Sequence, residues 1–253
     1  MSDLIKLFPE YESVFYDDIE NHKKYFLPIC SFSLKLIDPT KDQWLHMVSV
    51  KEIFDGCVGE NTAAYHTAFT KADMFGFDVI DGKYKFDADW NFFSVDTVIT
   101  AEDYQNKYSE LEIEYNKNET IYQLKKAYYK KHGKLCDKDY DRPGLHVDGI
   151  RSLERMRQLT VEDMENGNHS DYLVERLEQK IYSLFEELNT AGLPLEDCKF
   201  GGENLINKPY HNDVLFPNIA AIEGYDFQQS AADFLFLFYN EEINKAVICL
   251  EYT

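Results

Sequence analysis

The chain has 253 residues, and its 46 acidic residues against 26 lysines and arginines give a formal net charge of −20 at pH 7. Such a charge argues against nucleic acid and anionic membranes as partners, because both repel an acidic surface. It suits a basic protein partner. Apolar residues make up 44% of the chain and aromatic residues 15%, which is sufficient for the core of a globular protein.

The five cysteines are spread along the chain, and no two of them form a CxxC pair. An odd number at wide spacing is typical of reduced thiols in a cytoplasm. The N-terminal residues are acidic and lack the apolar segment of a secretory signal. No apolar run approaches the roughly 18 residues that a membrane-spanning helix needs. We therefore expect a cytoplasmic protein, and no motif in the chain predicts a cofactor.

The first part of the chain predicts short helices followed by strands. Apolar residues recur every three or four positions within residues 1–25, which predicts one or two helices interrupted at Pro9. Alternating apolar residues predict a strand over Phe26–Ile37. Leu45–Phe54 and Thr62–Phe69 are further predicted strands.

The strongest hairpin signal is Asp81-Gly82, between the apolar runs Phe77–Ile80 and Tyr84–Phe86. Asp-Gly readily adopts the positive φ angles that a type I′ turn requires. Another strand is predicted over Phe92–Ile99.

A long central helix is predicted over about residues 100–132, since this stretch has no glycine or proline and keeps apolar residues at helical spacing. Gly133 is its expected C-terminal stop. Lysines gather near this end, where cations complement the helix dipole. Two more helices, Ser152–Glu165 and Asp171–Asn189, are predicted to form a C-terminal helical pair that packs on the sheet.

The last strands are predicted to form a hairpin, because the runs Phe234–Tyr239 and Ala246–Leu250 flank a polar turn. Both runs are apolar on both faces, so the sheet that contains them has to be covered on both sides. The predicted fold is α+β, with mostly antiparallel sheets. We expect a single domain over residues 1–253. An alternative division has β-rich halves at 1–99 and 193–253, joined by a helical segment at 100–192.

One group of residues could bind a metal. His146 and Asp148 form an HxD motif, and His211 follows later in the chain. Two histidines and a carboxylate are the ligands of non-haem Fe(II) enzymes. The alternative to a binding protein is therefore a metal-dependent enzyme that uses these three residues. The chain contains no GxSxG, P-loop or GxGxxG motif.

The segment Lys199–Gly202, the prolines Pro209 and Pro217, and the aromatic strand that begins at Asp233 resemble the YwqG-like family. This resemblance implies a β-rich fold with repeated halves. It brings no catalytic residues.

The acidic, aromatic-rich and motif-poor composition also resembles immunity proteins of bacterial toxin systems, of the type VI or polymorphic toxin kind. This resemblance implies a protein that occludes a cognate effector toxin. Recognition is expected on loops held by the sheet, within Asp137–Asp148 and Tyr210–Asp226. The residues predicted to contact the partner are Asp137, Asp139, Tyr140, Asp141, Tyr210, Asp213, Tyr225 and Asp226.

Overall fold

The computed structural model describes residues 4–53, 57–95, 111–137, 150–165, 170–172 and 202–252. Its strands pair in antiparallel sheets and are accompanied by helices, which confirms the predicted α+β class. None of the helices in these ranges is both long enough and apolar enough to cross a lipid bilayer. The helices are α1 (Tyr11–Val14), α2 (Ile19–Tyr25), α3 (Leu111–His132), α4 (Ile150–Met156) and α5 (Val161–Glu165). The strands are β1 (Ile5–Leu7), β2 (Phe26–Ser33), β3 (Trp44–Val50), β4 (Met74–Ile80), β5 (Lys83–Phe86), β6 (Leu135–Asp137), β7 (Ser170–Tyr172), β8 (Tyr210–His211), β9 (Val214–Leu215), β10 (Asn218–Glu223), β11 (Phe234–Asn240) and β12 (Lys245–Glu251).

Two sheets form the centre of the molecule. The larger sheet has the strand order β10-β11-β12-β4-β5, and the smaller sheet has the order β1-β2-β3. Strand β12 pairs with β11 on one side and with β4 on the other, where Val247 lies opposite Gly76. Strands from the early and the late part of the chain therefore share one sheet.

Both predicted hairpins are confirmed. Asp81 and Gly82 connect β4 to β5 with φ angles of 49° and 73°, as a type I′ turn requires. The turn after Asn240 connects β11 to β12, with Phe236 opposite Cys249 in the register.

Phe26 of β2 occupies the middle of the aromatic core between the two sheets. Its ring centroid lies 5.2 Å from that of Phe77 and 6.2 Å from that of Phe75, both on β4. Phe86 of β5 is 5.3 Å away. All four rings are buried and meet at steep angles, the edge-to-face geometry that aromatic pairs prefer.

The opposite face of the larger sheet is covered by loops and contains a buried polar cluster. The Lys245 ammonium lies 2.5 Å from the Asp78 carboxylate and 3.1 Å from that of Asp87. It also lies 5.4 Å from the centre of the Phe69 ring. A Cβ on Gly76 would come within 2.4 Å of an Asp87 oxygen, so the cluster requires a glycine at that position of β4.

Helix α3 is attached to both sheets by side chains that reach the backbone. Asn118 is fully buried; its Nδ2 donates to the Lys51 carbonyl at 2.9 Å, and its Oδ1 accepts from the Ser230 N–H at 2.8 Å. The Tyr122 hydroxyl donates to the Pro28 carbonyl at 2.7 Å. The helix is thereby linked to β2, to the end of β3 and to the segment before β11.

The C-terminal end of α3 is as predicted. Gly133 has a φ of +67°, and its N–H donates to the Tyr129 carbonyl at 2.8 Å. The predicted first turns of the helix, before Leu111, lie outside the described residues.

Lysines near this end make ion pairs with acidic residues. Lys126 and Lys130 contact Glu10 at 2.9 and 3.3 Å. Lys131 contacts Glu165 of α5 at 2.6 Å. The pairs of Lys130 and Lys131 are exposed and contribute little free energy, so they mainly orient α3. Lys126, by contrast, is buried where it meets Glu10.

The predicted C-terminal helical pair is wrong, since the C-terminal part of the chain is mainly strands, from β8 to β12. Residues 152–165 do not form one helix, because Thr160 begins a new one. The Thr160 hydroxyl donates to Asp163 Oδ2 at 2.8 Å and accepts from the Asp163 N–H at 3.2 Å. Asp171, predicted to begin the second helix, lies in β7, and residues 173–189 lie outside the described residues.

The strand predicted over Thr62–Phe69 is also wrong. Residues Glu60–Tyr65 form a 3₁₀ helix. The chain turns here because the Thr62 hydroxyl donates to the Gly59 carbonyl at 3.1 Å and to the Phe92 carbonyl at 2.6 Å. Thr62 is β-branched and therefore favours strands in general, but here its hydroxyl stabilises a turn.

The strand predicted over Phe92–Ile99 does not form in its described part. Trp90–Phe92 is a 3₁₀ turn, and the Asp89 side chain accepts the Asn91 N–H at 2.8 Å to begin it. Residues 96–99 lie outside the described residues.

The two sheets are also connected through His46 of β3. Its Nε2 donates to the Gly82 carbonyl at 2.8 Å, and its backbone N–H donates to the Tyr84 hydroxyl at 2.9 Å. Burial lowers the pKa of His46 to about 4, and the nearby Lys6 and Lys83 act in the same direction. The imidazole is therefore neutral at pH 7.

We expect Asn118→Ala to lower the free energy of unfolding by roughly 1–3 kcal/mol, because it leaves the Ser230 N–H without its acceptor and removes one of two donors to the Lys51 carbonyl, the other being the Ile53 N–H. Urea denaturation monitored by circular dichroism measures the change. Gln123→Ala on the same helix is the matched control, since Gln123 is exposed and its side chain bonds to Glu119, one helical turn away. Equal stability losses in the two variants would contradict the role given to Asn118.

We expect protonation of His46 to destabilise the fold in acid. The folded-state pKa lies below the usual 6.5, so the unfolded chain takes up the proton first as pH falls. Stability is then lost between pH 6.5 and about 4, by up to about 3 kcal/mol. The measurement is urea unfolding of wild type and His46→Gln across this range. If the difference in unfolding free energy between the two is the same at every pH, His46 does not contribute.

Candidate binding surface

A short hairpin projects from the loops that cover the larger sheet. It consists of β8 and β9, with Tyr210 paired to Leu215 and His211 paired to Val214. The two turn residues, Asn212 and Asp213, have φ angles of 49° and 62°, which give the two-residue turn that matches strand twist. Asparagine and aspartate are among the few non-glycine residues that adopt this conformation readily.

Large apolar side chains are exposed along this segment. Ile206 is 59% exposed, Tyr210 53% and Val214 67%. Because neighbouring residues of a strand point to opposite faces, Tyr210 and Val214 lie on different faces of the hairpin. The hairpin therefore projects into solvent on both faces. We call Ile206, Tyr210, Asp213 and Val214 the hairpin surface.

The start of the segment that carries the hairpin is held by a buried carboxylate. Glu251 Oε1 accepts the N–H groups of Gly202 at 2.7 Å and Asn204 at 3.0 Å. The second oxygen, Oε2, is buried and has no hydrogen-bond partner within the described part of the chain. Further along, the Asn207 side chain donates to the Ala72 carbonyl at 2.8 Å.

The other end of the segment is held by an aromatic contact. Phe216 is buried, and its ring centroid lies 5.3 Å from that of Phe69. Its N–H donates to the Pro209 carbonyl at 3.0 Å, which closes the base of the hairpin. With both ends attached, the hairpin is presented by a rigid base.

The sequence-predicted contact residues fall into two groups. Tyr210 and Asp213 lie on the hairpin. Tyr225 and Asp226 lie in a 3₁₀ turn after β10, where the Lys125 ammonium bonds to the Tyr225 carbonyl at 2.5 Å. Strand β6, which ends at Asp137, lies against this turn. Partial burial, and then the Asp233 carboxylate, raise the pKa of the Tyr225 phenol.

The two groups do not form one continuous surface. The base of the hairpin leads into Pro217, whose carbonyl accepts the Tyr239 N–H at 3.1 Å. Gly224, by contrast, lies against the Ala232 carbonyl, just before β11. The groups are thus at opposite ends of β11, about 20 Å apart at the usual rise per strand residue.

Several predicted residues lie outside the described part of the chain: Asp139, Tyr140, Asp141, His146 and Asp148. His211, the third member of the proposed metal group, is half-buried in β8. Within the described residues no group of three or more His, Cys, Asp or Glu side chains could hold a metal ion. The metal-dependent alternative stays a prediction.

Ile206 and Val214 were not among the predicted contact residues, although Val214 lies within the predicted segment Tyr210–Asp226. Their signal was available, because Asn212-Asp213 is a pair of turn formers flanked by Tyr210-His211 and Val214-Leu215. Recognising this short hairpin would have shown that its strands are too short to bury both faces.

Comparisons of the chain with protein-family models, with curated proteins and with solved structures find no match.

We expect Glu251→Ala to loosen the segment that carries the hairpin, because the Gly202 and Asn204 N–H groups lose their acceptor. Losing hydrogen bonds to a charged group costs roughly 1.5–3 kcal/mol. Hydrogen exchange at these two amides, followed by mass spectrometry, should become faster. Glu203→Ala removes an exposed acid from the same segment and is the control. Unchanged exchange in Glu251→Ala would show that the carboxylate does not hold the segment.

Proposed function

We propose that this chain is a binding protein that neutralises a basic protein partner, and that it docks through the hairpin surface. The observation that carries the proposal is the exposure of Ile206, Tyr210 and Val214 on one anchored segment. Apolar side chains scattered singly on a surface need no explanation, but a group on one projection is typical of a recognition site. Tyrosine is also among the residues that contribute most to binding energy at interfaces.

Charge supports a basic partner. The chain carries a net charge of −20, and Glu203 and Asp213 are exposed beside the apolar residues of the hairpin surface. An acidic field accelerates the encounter with a basic protein and discriminates against acidic ones. The apolar residues would then supply affinity after the encounter.

The shape of the site suggests how neutralisation would occur. A two-stranded hairpin is narrow, since its strands lie about 4.8 Å apart. With Tyr210 on one face and Val214 on the other, it can enter a cleft and contact both walls. Occlusion of an enzyme's active-site cleft is the action of an immunity protein. Within this proposal the chain is a bacterial, cytoplasmic immunity protein, and its partner is a cognate toxic effector.

We expect Tyr210→Ala to weaken partner binding about 30-fold, which corresponds to the loss of about 2 kcal/mol at an interface anchor. The partner to test is the product of the adjacent gene, co-expressed and then titrated by calorimetry. Binding should also weaken as salt rises, because charge steering is screened.

Tyr16→Ala is the matched control, since Tyr16 is 46% exposed but lies beside β5, away from the hairpin. It should bind as wild type does. A partner that binds Tyr210→Ala and wild type equally would exclude the hairpin surface. Failure of the chain to bind or protect against the product of the adjacent gene would refute the immunity proposal.

A further inference from the structure

A polar row crosses the smaller sheet and lines a cavity of about 430 Å³. In the strand register Lys6 of β1 lies opposite Ser31 of β2, and Ser31 lies opposite His46 of β3. Directly opposite residues share a face of a sheet, so the three side chains stand side by side. Ser31 and His46 are each 3% exposed, yet both border the cavity, which places them at its floor.

The hydrogen bonds define the tautomer of His46. Nε2 lies 2.8 Å from the Gly82 carbonyl, and a carbonyl can only accept, so Nε2 carries the proton. Nδ1 of the neutral ring is then an acceptor. Ser31 Oγ lies 2.7 Å from Nδ1 and therefore donates its proton to it. Burial keeps the ring neutral at pH 7, because it lowers the pKa of His46.

This arrangement has the parts of an activated nucleophile. A hydroxyl donates to a histidine, and the histidine is oriented by an acceptor on its other nitrogen. Here a backbone carbonyl, that of Gly82, takes the place that a carboxylate has in a catalytic triad. Ser13 borders the same cavity, but its hydroxyl donates to the Glu10 carbonyl at 2.6 Å, and no histidine of the described residues bonds to it.

The rest of the cavity wall points to a class of substrate. The Lys6 ammonium lies 4.3 Å from the centre of the Trp44 ring, so a cation and an aromatic face adjoin the row. Lys83 also borders the cavity, as do Asp42 and Asp81, so its wall carries charges of both signs. A flat apolar group can stack on Trp44, whereas the two carboxylates oppose a negative charge near the lysines.

We propose that Ser31 is a nucleophile, with His46 as its general base, and that the cavity accepts small esters with an aromatic acyl group. Ser31 Oγ attacks the ester carbonyl carbon as its proton passes to His46 Nδ1. The carbon–oxygen bond to the alcohol then breaks, and the alcohol leaves with that proton. Water, deprotonated by His46, then attacks the acyl carbon. The bond from that carbon to Ser31 Oγ breaks, the acid leaves, and His46 returns the proton to Ser31 Oγ.

The test is covalent labelling with phenylmethanesulfonyl fluoride, a small aromatic electrophile. An oxygen–sulfur bond forms at Ser31, the sulfur–fluorine bond breaks, fluoride leaves and His46 takes the proton. We expect one label per chain, located at Ser31 by peptide mass spectrometry. Ser31→Ala should not be labelled, whereas Ser13→Ala should be labelled as wild type is.

His46→Gln should slow the labelling of Ser31 by at least ~100-fold, which is the usual contribution of a general base. Circular dichroism tests whether this variant is folded. If it is not, the comparison of Ser31→Ala with Ser13→Ala tests whether Ser31 is the nucleophile. Absence of label at Ser31 in the folded wild type, or a label that persists in Ser31→Ala, overturns the proposal. Because partner binding is not measured here, either result leaves the role of the hairpin surface open to its own test.

Discussion

The architecture follows from one requirement, which is that β11 and β12 are apolar on both faces and have to be covered twice. On one face the cover is the smaller sheet, through contacts such as Phe26 with Phe77 of the neighbouring strand β4. On the other face it is a set of loops, which include Phe69 and the segment that begins at Gly202. Buried apolar area of this kind is the main favourable contribution to folding, so neither cover is dispensable.

The second cover also explains where the candidate binding surface lies. The segment from Gly202 to Phe216 closes the sheet on its inner side and displays Tyr210 and Val214 on its outer side. A surface built on such a segment is rigid, because loosening it would expose the strands beneath. Rigid presentation reduces the entropy lost on binding. Stability and recognition thus depend on the same residues of the chain.

Turns and helix ends could be predicted from short motifs, because only a few residue types adopt positive φ angles readily. Asp81-Gly82 predicted the β4–β5 hairpin, and Gly133 predicted the end of α3. The strand predicted over Thr62–Phe69 was wrong, because the Thr62 hydroxyl bonds to the carbonyl of Phe92, a residue far along the chain. The pairing of Ser31 with another strand, like the burial of Lys245 between two carboxylates, depends on register and tertiary packing, which no single stretch of sequence reveals. For the binding surface, loop composition pointed to Tyr210 but could not show how far it projects.

The pairing of β12 with β4 has a consequence for synthesis of the protein. Lys245 and Asp78, which face each other across this pair, are separated by 167 residues. At the usual rate of translation, on the order of 10–30 seconds pass between the emergence of the two. During that time β4 can pair with β5, but its other edge is left open and apolar, and open edges invite pairing with other chains. Until β12 emerges, this edge of β4 is the one that has to be kept from pairing with other chains.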